Sequence, residues 1–406
     1  MSSSLDSFRT EISGFLEKSA PASLRGRPMM MAEGMDEEAA EVRADRKRWV
    51  DAMASRGFTA PMWPTQYGGG GLSPAQAKVL QEEIVKLRMP PALMGMGLSM
   101  IGPTLLVHGT EEQKQKYLPK IISGEHRWCQ GFSEPGAGSD LASLRCSAKL
   151  SPDGSHYLIN GQKTWTSGAQ YANWIFILVR TDETTKHNGI TFLLIDMKTP
   201  GIEVKPIRLI SGNSPFCETF LTDVKALPEN VIGGVNNGWT VAKTLLNFER
   251  SGMGTGTMGG GAQRRGAAPT GGKLAQLAKQ SAGETDGRIA NASIREQVAS
   301  LLLDEQALAL TVQRSAETRK QGGAPGPEIS MFKLYTSELG HRRDELMLAL
   351  RGTGALVMDG GDASNEDDGM LTRGWLGAKA TTIYGGTSEI QRNIITKRVL
   401  RLPTST

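Results

Sequence analysis

Tyr157-Leu-Ile-Asn-Gly-Gln-Lys-Thr-Trp-Thr-Ser167 is the stretch on which the fold turns. Asn160-Gly161 sits between two runs rich in β-branched and aromatic residues, a pattern that predicts a β-hairpin. Downstream, Trp174-Ile-Phe-Ile-Leu-Val179 and Ile190-Thr-Phe-Leu-Leu-Ile195 read as apolar strands. Ile202-Glu-Val-Lys205 and Cys217-Glu-Thr-Phe-Leu221 read as shorter ones. Strands this close together, with no helix between them, predict an antiparallel β domain over residues 128–235.

Outward from this region the texture is helical. Residues 1–127 carry helical spacing at Asp36–Arg56 and Ser73–Leu87, and Ser73-Pro74 pairs an N-cap with proline at the first helical position. Pro61-Met-Trp-Pro-Thr-Gln-Tyr-Gly-Gly-Gly-Gly71 between them is a turn-rich loop. Residues 236–406 return to helix, with candidates at Trp239–Arg250, Ile294–Arg319, Ile329–Leu350 and Thr387–Leu400. The fold class expected is α+β: an N-terminal helical domain, a central antiparallel β domain and a C-terminal four-helix bundle. Residues Gly252–Gly272 hold nine glycines, each costing a helix about 1 kcal/mol relative to alanine. They read as a mobile loop or as a helix thinned for close packing. The Gly254-x-Gly256-x-x-Gly259 pattern within them follows a helix rather than a strand, so it is not a dinucleotide fingerprint.

The composition narrows the function. The chain has 406 residues, 39% of them hydrophobic, and a net charge of +4. That is enough for a large core divided among domains. No dense Lys/Arg block argues for nucleic acid, and no run of about 18 apolar residues argues for a membrane span. The N-terminus carries no basic region leading into an apolar stretch, so no secretory signal is expected and the expected location is cytoplasmic. Cys129, Cys146 and Cys217 are widely spaced, which fits buried thiols in a reducing compartment and no metal site.

The chemistry concentrates in three segments. Gln130-Gly-Phe-Ser-Glu-Pro-Gly-Ala-Gly-Ser-Asp140 opens the β domain with glycines that allow close approach of a ligand to backbone N–H groups. Its composition alone also fits an ordinary loop; its order does not leave the matter there. Ser133-Glu-Pro-Gly-Ala-Gly-Ser-Asp140 closely resembles the first signature of the acyl-CoA dehydrogenase family. Lys163-Thr-Trp-Thr-Ser167 resembles its flavin-contacting segment, and Tyr384-Gly-Gly-Thr-Ser-Glu-Ile-Gln-Arg392 its second signature. Trp63-Pro-Thr-Gln-Tyr-Gly-Gly69 adds support, and the matches run in family order from about residue 60 to 400.

The resemblance implies FAD as cofactor and an acyl-CoA thioester as substrate, oxidised across its α and β carbons to the trans-2-enoyl-CoA. It implies that Gln130, Phe132 and Ser133 lie along the isoalloxazine, with Gly138 and Ser139 at the pyrophosphate or the CoA. By the same likeness Trp165 covers the flavin, Ser167 reaches its N5/O4 edge, and Thr387 and Glu389 meet the ADP part. The turn before Thr387 suits phosphate independently, because Gly385-Gly386 permits close approach and Ser388 with Gln391 has capping-box spacing. An electron-transfer flavoprotein is the expected acceptor and a homo-oligomer, dimer or tetramer, the expected assembly.

One position departs from the common pattern. Many family members carry Glu directly after the Tyr of the second signature; here Gly385 stands there and can offer only its backbone N–H to the developing enolate oxygen. The isovaleryl- and long-chain-type members supply Glu from an early C-terminal helix in a Leu-x-x-Glu-Arg context, which Leu246-Asn-Phe-Glu-Arg250 matches. A helical wheel agrees: at 100° per residue Glu249 falls between Ala242, Leu245 and Leu246 on an apolar stripe. A carboxylate there is expected to have a raised pKa suited to a general base, unless it is only ion-paired. Arg250 is either a CoA contact, as the resemblance implies, or a surface ion-pairing residue. The adjoining glycines predict room for long, branched or ring-bearing acyl groups. The family's Arg-Gln-Phe-Gly-type segment, which reaches FAD across a subunit contact, is not recognisable. Two other readings remain: a non-catalytic subunit of a hetero-oligomer, and an acyl-CoA oxidase passing electrons to O₂, although the family's oxidases are longer.

Overall fold

The computed structural model describes residues 2–27, 38–254, 270–320, 329–356 and 366–403. The chain forms two compact units: residues 1–207 with 214–248, and residues 208–213 with 249–406.

The first unit begins with helices α1 (Ser2–Ser19), α2 (Ala40–Ser55), α3 (Pro74–Lys86), α4 (Gly102–His108) and α5 (Glu111–Ile122). Ser73 caps α3 in a full capping box with Gln76, as expected from Ser73-Pro74, and Thr110 caps α5 in the same way. Ile12, Leu16, Trp49, Met53, Leu80 and Ile84 form the core of α1–α3.

Eight strands follow: β1 (Trp128–Gly131), β2 (Ser147–Leu150), β3 (Tyr157–Ser167), β4 (Trp174–Arg180), β5 (Ile190–Asp196), β6 (Ile202–Ile207), β7 (Phe216–Ala226) and β8 (Val231–Ile232). They make one sheet in the order β6-β7-β3-β2-β4-β5-β8, with β1 beside β4. Most pairs are antiparallel, as expected, but β1–β4 and β2–β4 are parallel. β4 and β5 are buried on both faces, which explains their uninterrupted apolar runs.

The hairpin expected at Asn160-Gly161 does not form. β3 runs straight through these residues and pairs along its length with β7, which carries the extra residue of a bulge at Asp223. Asp223 takes φ 51°. The Asn160 side chain donates to Asp223 Oδ1 (3.0 Å) and accepts from Asp223 N (2.9 Å), so it satisfies the bulge instead of making a turn. Gly161 is required by close approach: a Cβ there lies 2.7 Å from Cys146 Cα.

Helix α6 (Gly238–Gly254) crosses the division between the units. The second unit continues with α7 (Thr270–Ala282), a β9–β10 ribbon (Glu284–Thr285, Arg288–Ile289), α8 (Ala292–Lys320), α9 (Ile329–Arg351), α10 (Glu366–Ala378) and α11 (Ser388–Ile394). α9 is central and packs against α7, α8, α10 and α11. Leu274, Val298, Leu301, Leu339, Leu346 and Leu350 form a core among α7–α9. Most of the glycine-rich segment, including the Gly256 and Gly259 of its pattern, lies outside the described residues.

Candidate active site

In the first unit, the Ser133–Asp140 loop is held at both ends. Glu134 and Ala137 exchange backbone hydrogen bonds of 3.0 Å, closing the turn around Pro135-Gly136. Thr164 N donates to Ser133 O at 2.9 Å, which joins this loop to the β3 segment that carries Trp165 and Ser167. Between Lys163 and Thr166 the register against β7 slips, and the extra residue is on β3. Trp165 occupies that bulge at φ 59°, a left-handed conformation costly for an L residue by about 1–2 kcal/mol. Its indole is 54% exposed and meets Phe216 edge-on at 6.1 Å. A strained backbone that presents a large uncovered aromatic is the kind of local cost found at ligand sites.

Gln130, Ser133 and Ser167 are half-buried, and Gly138 and Ser139 are exposed. Phe132 differs from the others: its ring is 4% exposed and packs edge-on against Phe176 and Phe192 in the core. A Cβ at Gly136, Gly138 or Gly168 meets no atom within 4 Å, so the backbone there is open to close approach.

Two residues that motif reading passed over hold this arrangement. Lys163, fully buried, donates to Glu134 Oε1 (2.7 Å) and Phe132 O (3.2 Å). The signal was available, since strand alternation from buried Tyr157 and Ile159 puts Lys163 on the inner face.

On α6, Val241, Ala242 and Leu245 are buried, Lys243 and Asn247 are exposed, and Leu246 and Glu249 are half-buried. The helical wheel drawn from the sequence put Glu249 within the apolar stripe; in the structure Ala242 and Leu245 of that stripe are buried, and Leu246 and Glu249 only half-buried. The side chain of Arg250 lies outside the described residues.

Further along the second unit, Ile383 and Tyr384 are exposed, 64% and 47%, immediately before a turn in which Gly385 and Gly386 take φ 66° and 91°. Thr387 is the N-cap of α11, its Oγ1 accepting from Ile390 N at 3.2 Å. The capping expected of Ser388 therefore falls one residue earlier. Gln391, 1% exposed, does not close a box; its Nε2 donates to Gly385 O (3.1 Å) and Gly386 O (3.3 Å). The hydroxyl of Ser388 and Oε1 of Gln391 are buried and take no hydrogen bond among the described residues. Glu389 is exposed, and its carboxyl sits below the ordinary range because its own backbone N–H and Thr387 bond it.

The first unit thus presents an open glycine-rich loop tied to the Trp165 bulge, and in the second unit α11 is entered through a left-handed Gly-Gly turn. The acyl-CoA dehydrogenase N-terminal, middle and C-terminal domain models match residues 7–125, 129–224 and 236–400. The chain is 34% identical over 400 residues to acyl-CoA dehydrogenase IpdE1 of Mycobacterium tuberculosis, covering 98% of each chain. It is 38% identical over 369 residues to acyl-CoA dehydrogenase FadE34 of the same organism, covering 90% of this chain and 47% of that one. Among solved structures it resembles the steroid acyl-CoA dehydrogenase Tcur3481-Tcur3483 (TM-score 0.75, 27% identity, 99% and 98% coverage). It also resembles the ChsE4-ChsE5 complex of Mycobacterium tuberculosis (TM-score 0.74, 27% identity, 99% and 98% coverage).

The chain belongs to the acyl-CoA dehydrogenase family. It is an oxidoreductase acting on acyl-CoA, and its cofactor is FAD. Its own residues fit that group: in the first unit glycines at 136, 138 and 168 leave the backbone clear, and in the second the buried Ser388 hydroxyl has no hydrogen-bond partner among the described residues. No helix among the described residues is long and apolar enough to cross a membrane.

Proposed function

We propose that this enzyme oxidises a bulky, ring-bearing acyl-CoA to its trans-2-enoyl-CoA, with Glu249 as the base that removes the α proton. The observation that carries the base assignment is the pairing of an empty catalytic position, Gly385, with a half-buried Glu249 beside Val241, Ala242 and Leu245 on α6. The N–H of Gly385 donates to the thioester oxygen as negative charge grows on it. Bound FAD would supply N5 as the hydride acceptor for the β carbon, and an electron-transfer flavoprotein is the proposed acceptor of its electrons.

Gln130, the Phe132 backbone and Ser133 hold the isoalloxazine, Trp165 covers it and Ser167 donates at its N5/O4 edge. Gly138 and Ser139 meet the pyrophosphate or the CoA, Thr387 and Glu389 the ADP part, and Arg250 the CoA. The three-part division at residues 127/128 and 235/236 is part of this reading, and the domain models that match fall on either side of both boundaries. Support for a ring-bearing acyl group comes from the glycines after Glu249 and from the likeness to the steroid acyl-CoA dehydrogenase Tcur3481-Tcur3483.

Anaerobic titration with C4, C8, C16 and sterol-derived acyl-CoAs, following flavin absorbance, tests this reading. Wild type bleaches fastest with the ring-bearing substrate. Glu249→Gln slows bleaching by about 10²–10⁴, the usual contribution of a positioned base. Equal rates in the two proteins rule out Glu249, and a strict C4 preference rules out the substrate class.

A second reading concerns assembly. Two of the structural relatives carry the names of two different chains, and this sequence lacks a recognisable Arg-Gln-Phe-Gly segment. These two facts support a hetero-oligomer in which an unlike chain completes the FAD site, beside the homodimer or homotetramer expected from the resemblance. Light scattering and flavin content of the chain purified alone distinguish them: a flavin-replete homo-oligomer excludes the hetero-oligomer.

A further inference from the structure

We propose that the buried Glu134–Lys163 ion pair is a positioning element for FAD, fixing the two flavin-facing segments in their bound arrangement before the cofactor arrives. It rests on the assignment of Ser133 and Trp165 to the flavin site.

The pair is a junction of three backbone segments. Lys163 Nζ, in a side chain with no exposure, donates to Glu134 Oε1 at 2.7 Å and to Phe132 O at 3.2 Å. Glu134 Oε1 also accepts from Cys146 N at 2.9 Å, and Oε2 accepts from Arg145 N at 2.7 Å. One carboxylate thus ties the first signature loop to the segment entering β2, and one ammonium ties both to β3. The neighbouring Thr164 N–Ser133 O bond of 2.9 Å continues the same seam. Two of the three segments border residues assigned to the flavin: Phe132 and Ser133 on one, Trp165, two residues from Lys163, on the other.

Stability alone does not account for the pair. Desolvating two charges offsets most of their attraction, and well-packed apolar residues often serve as well. What an apolar pair cannot supply is direction. The carboxylate accepts two backbone N–H groups and the ammonium in one geometry, and the ammonium reaches a specific carbonyl. Such direction is needed here because Trp165 sits at φ 59° in a bulge. A strained residue persists only where its surroundings over-determine it. Lys163 anchors the last residue before the bulge and so keeps the indole on the ligand side. The side-chain and backbone ordering is then complete before binding, and its cost does not fall on FAD affinity.

The test uses full-length Lys163→Met and Glu134→Gln. Three readouts are taken: FAD affinity by titrating apoprotein, visible circular dichroism of the bound flavin, and the melting temperature without FAD. Lys163→Met is expected to weaken FAD by about tenfold, as expected when one or two ordered side chains must be fixed on binding, and to change the flavin dichroism. Glu134→Gln retains an amide oxygen for Lys163 and shows the same changes, smaller in size. If Lys163→Met does not fold, Glu134→Gln decides alone. A lowered melting temperature with wild-type FAD affinity and wild-type dichroism overturns the proposal, because the pair is then structural only. Failure of wild type itself to bind FAD refutes the underlying assignment, and is distinct from an effect confined to the variants.

Discussion

Gly386→Ala tests whether the second-signature turn is part of the cofactor site. Gly386 takes φ 91°, a conformation that alanine adopts only with strain. An added Cβ would lie 2.5 Å from Gln391 Nε2. Gln391 is 1% exposed and its Nε2 already serves Gly385 O and Gly386 O, so the amide cannot swing aside into solvent. Left-handed strain costs about 1–2 kcal/mol and two weakened hydrogen bonds about 0.5–1.5 kcal/mol each, so the native turn loses about 3 kcal/mol. If FAD binds only the native turn, its apparent affinity falls with the population of that turn, at most about 150-fold for 3 kcal/mol. We therefore expect a rise of about tenfold to a hundredfold in the FAD dissociation constant, measured by quenching of flavin fluorescence on apoprotein. Gly340→Ala, inside α9 with open space at its Cβ, is the control; it is expected to stabilise by about 0.5–1 kcal/mol and to leave FAD affinity alone. A Gly386→Ala protein that binds FAD like wild type refutes the reasoning, whatever its stability.

Other consequences follow from the first unit. Burial pushes the His126 imidazole down from 6.5 to about 4, so the folded state prefers it neutral. The stability it confers is complete above pH 6.5 and is lost as pH falls toward 4, because the unfolded chain takes the proton first. His126→Phe, packed among Tyr117, Trp128 and Trp174, is expected to flatten the fall in melting temperature between pH 7 and 5; an unchanged slope refutes this. Tyr117→Phe removes the buried hydroxyl that donates to Asn230 Oδ1 at 2.5 Å and is expected to cost about 1–3 kcal/mol by calorimetry. A loss under about 0.5 kcal/mol shows that the bond contributes nothing net. Ser73→Ala breaks the α3 capping box and is expected to cost about 1 kcal/mol in denaturant unfolding; Ser73→Asp restores most of it.

Much of the fold was legible locally. Ser73-Pro74 marked a helix start because capping involves residues three apart. The apolar runs at Trp174 and Ile190 marked strands, and the α6 wheel put Ala242 and Leu245 on the buried face, since periodicity records which side meets the core. The signatures at 133–140 and 384–392 were readable as strings of glycines, hydroxyls and turn residues whose order is distinctive.

Only the tertiary structure decided the rest. Asn160-Gly161 has every local mark of a hairpin, yet β7 pairs along the whole of β3, and the long ladder outweighs one turn preference. The same pairing creates the bulge that holds Trp165 at positive φ, which nothing in Lys163-Thr-Trp-Thr-Ser167 announces. That the Phe132 ring packs edge-on against Phe176 and Phe192 in the core is likewise a product of the sheet and not of the motif string. Glu134 and Lys163 are 29 residues apart and unremarkable as letters. They become a pair because sheet formation removes both from water, and a charge without water must find its partner wherever the fold has put one.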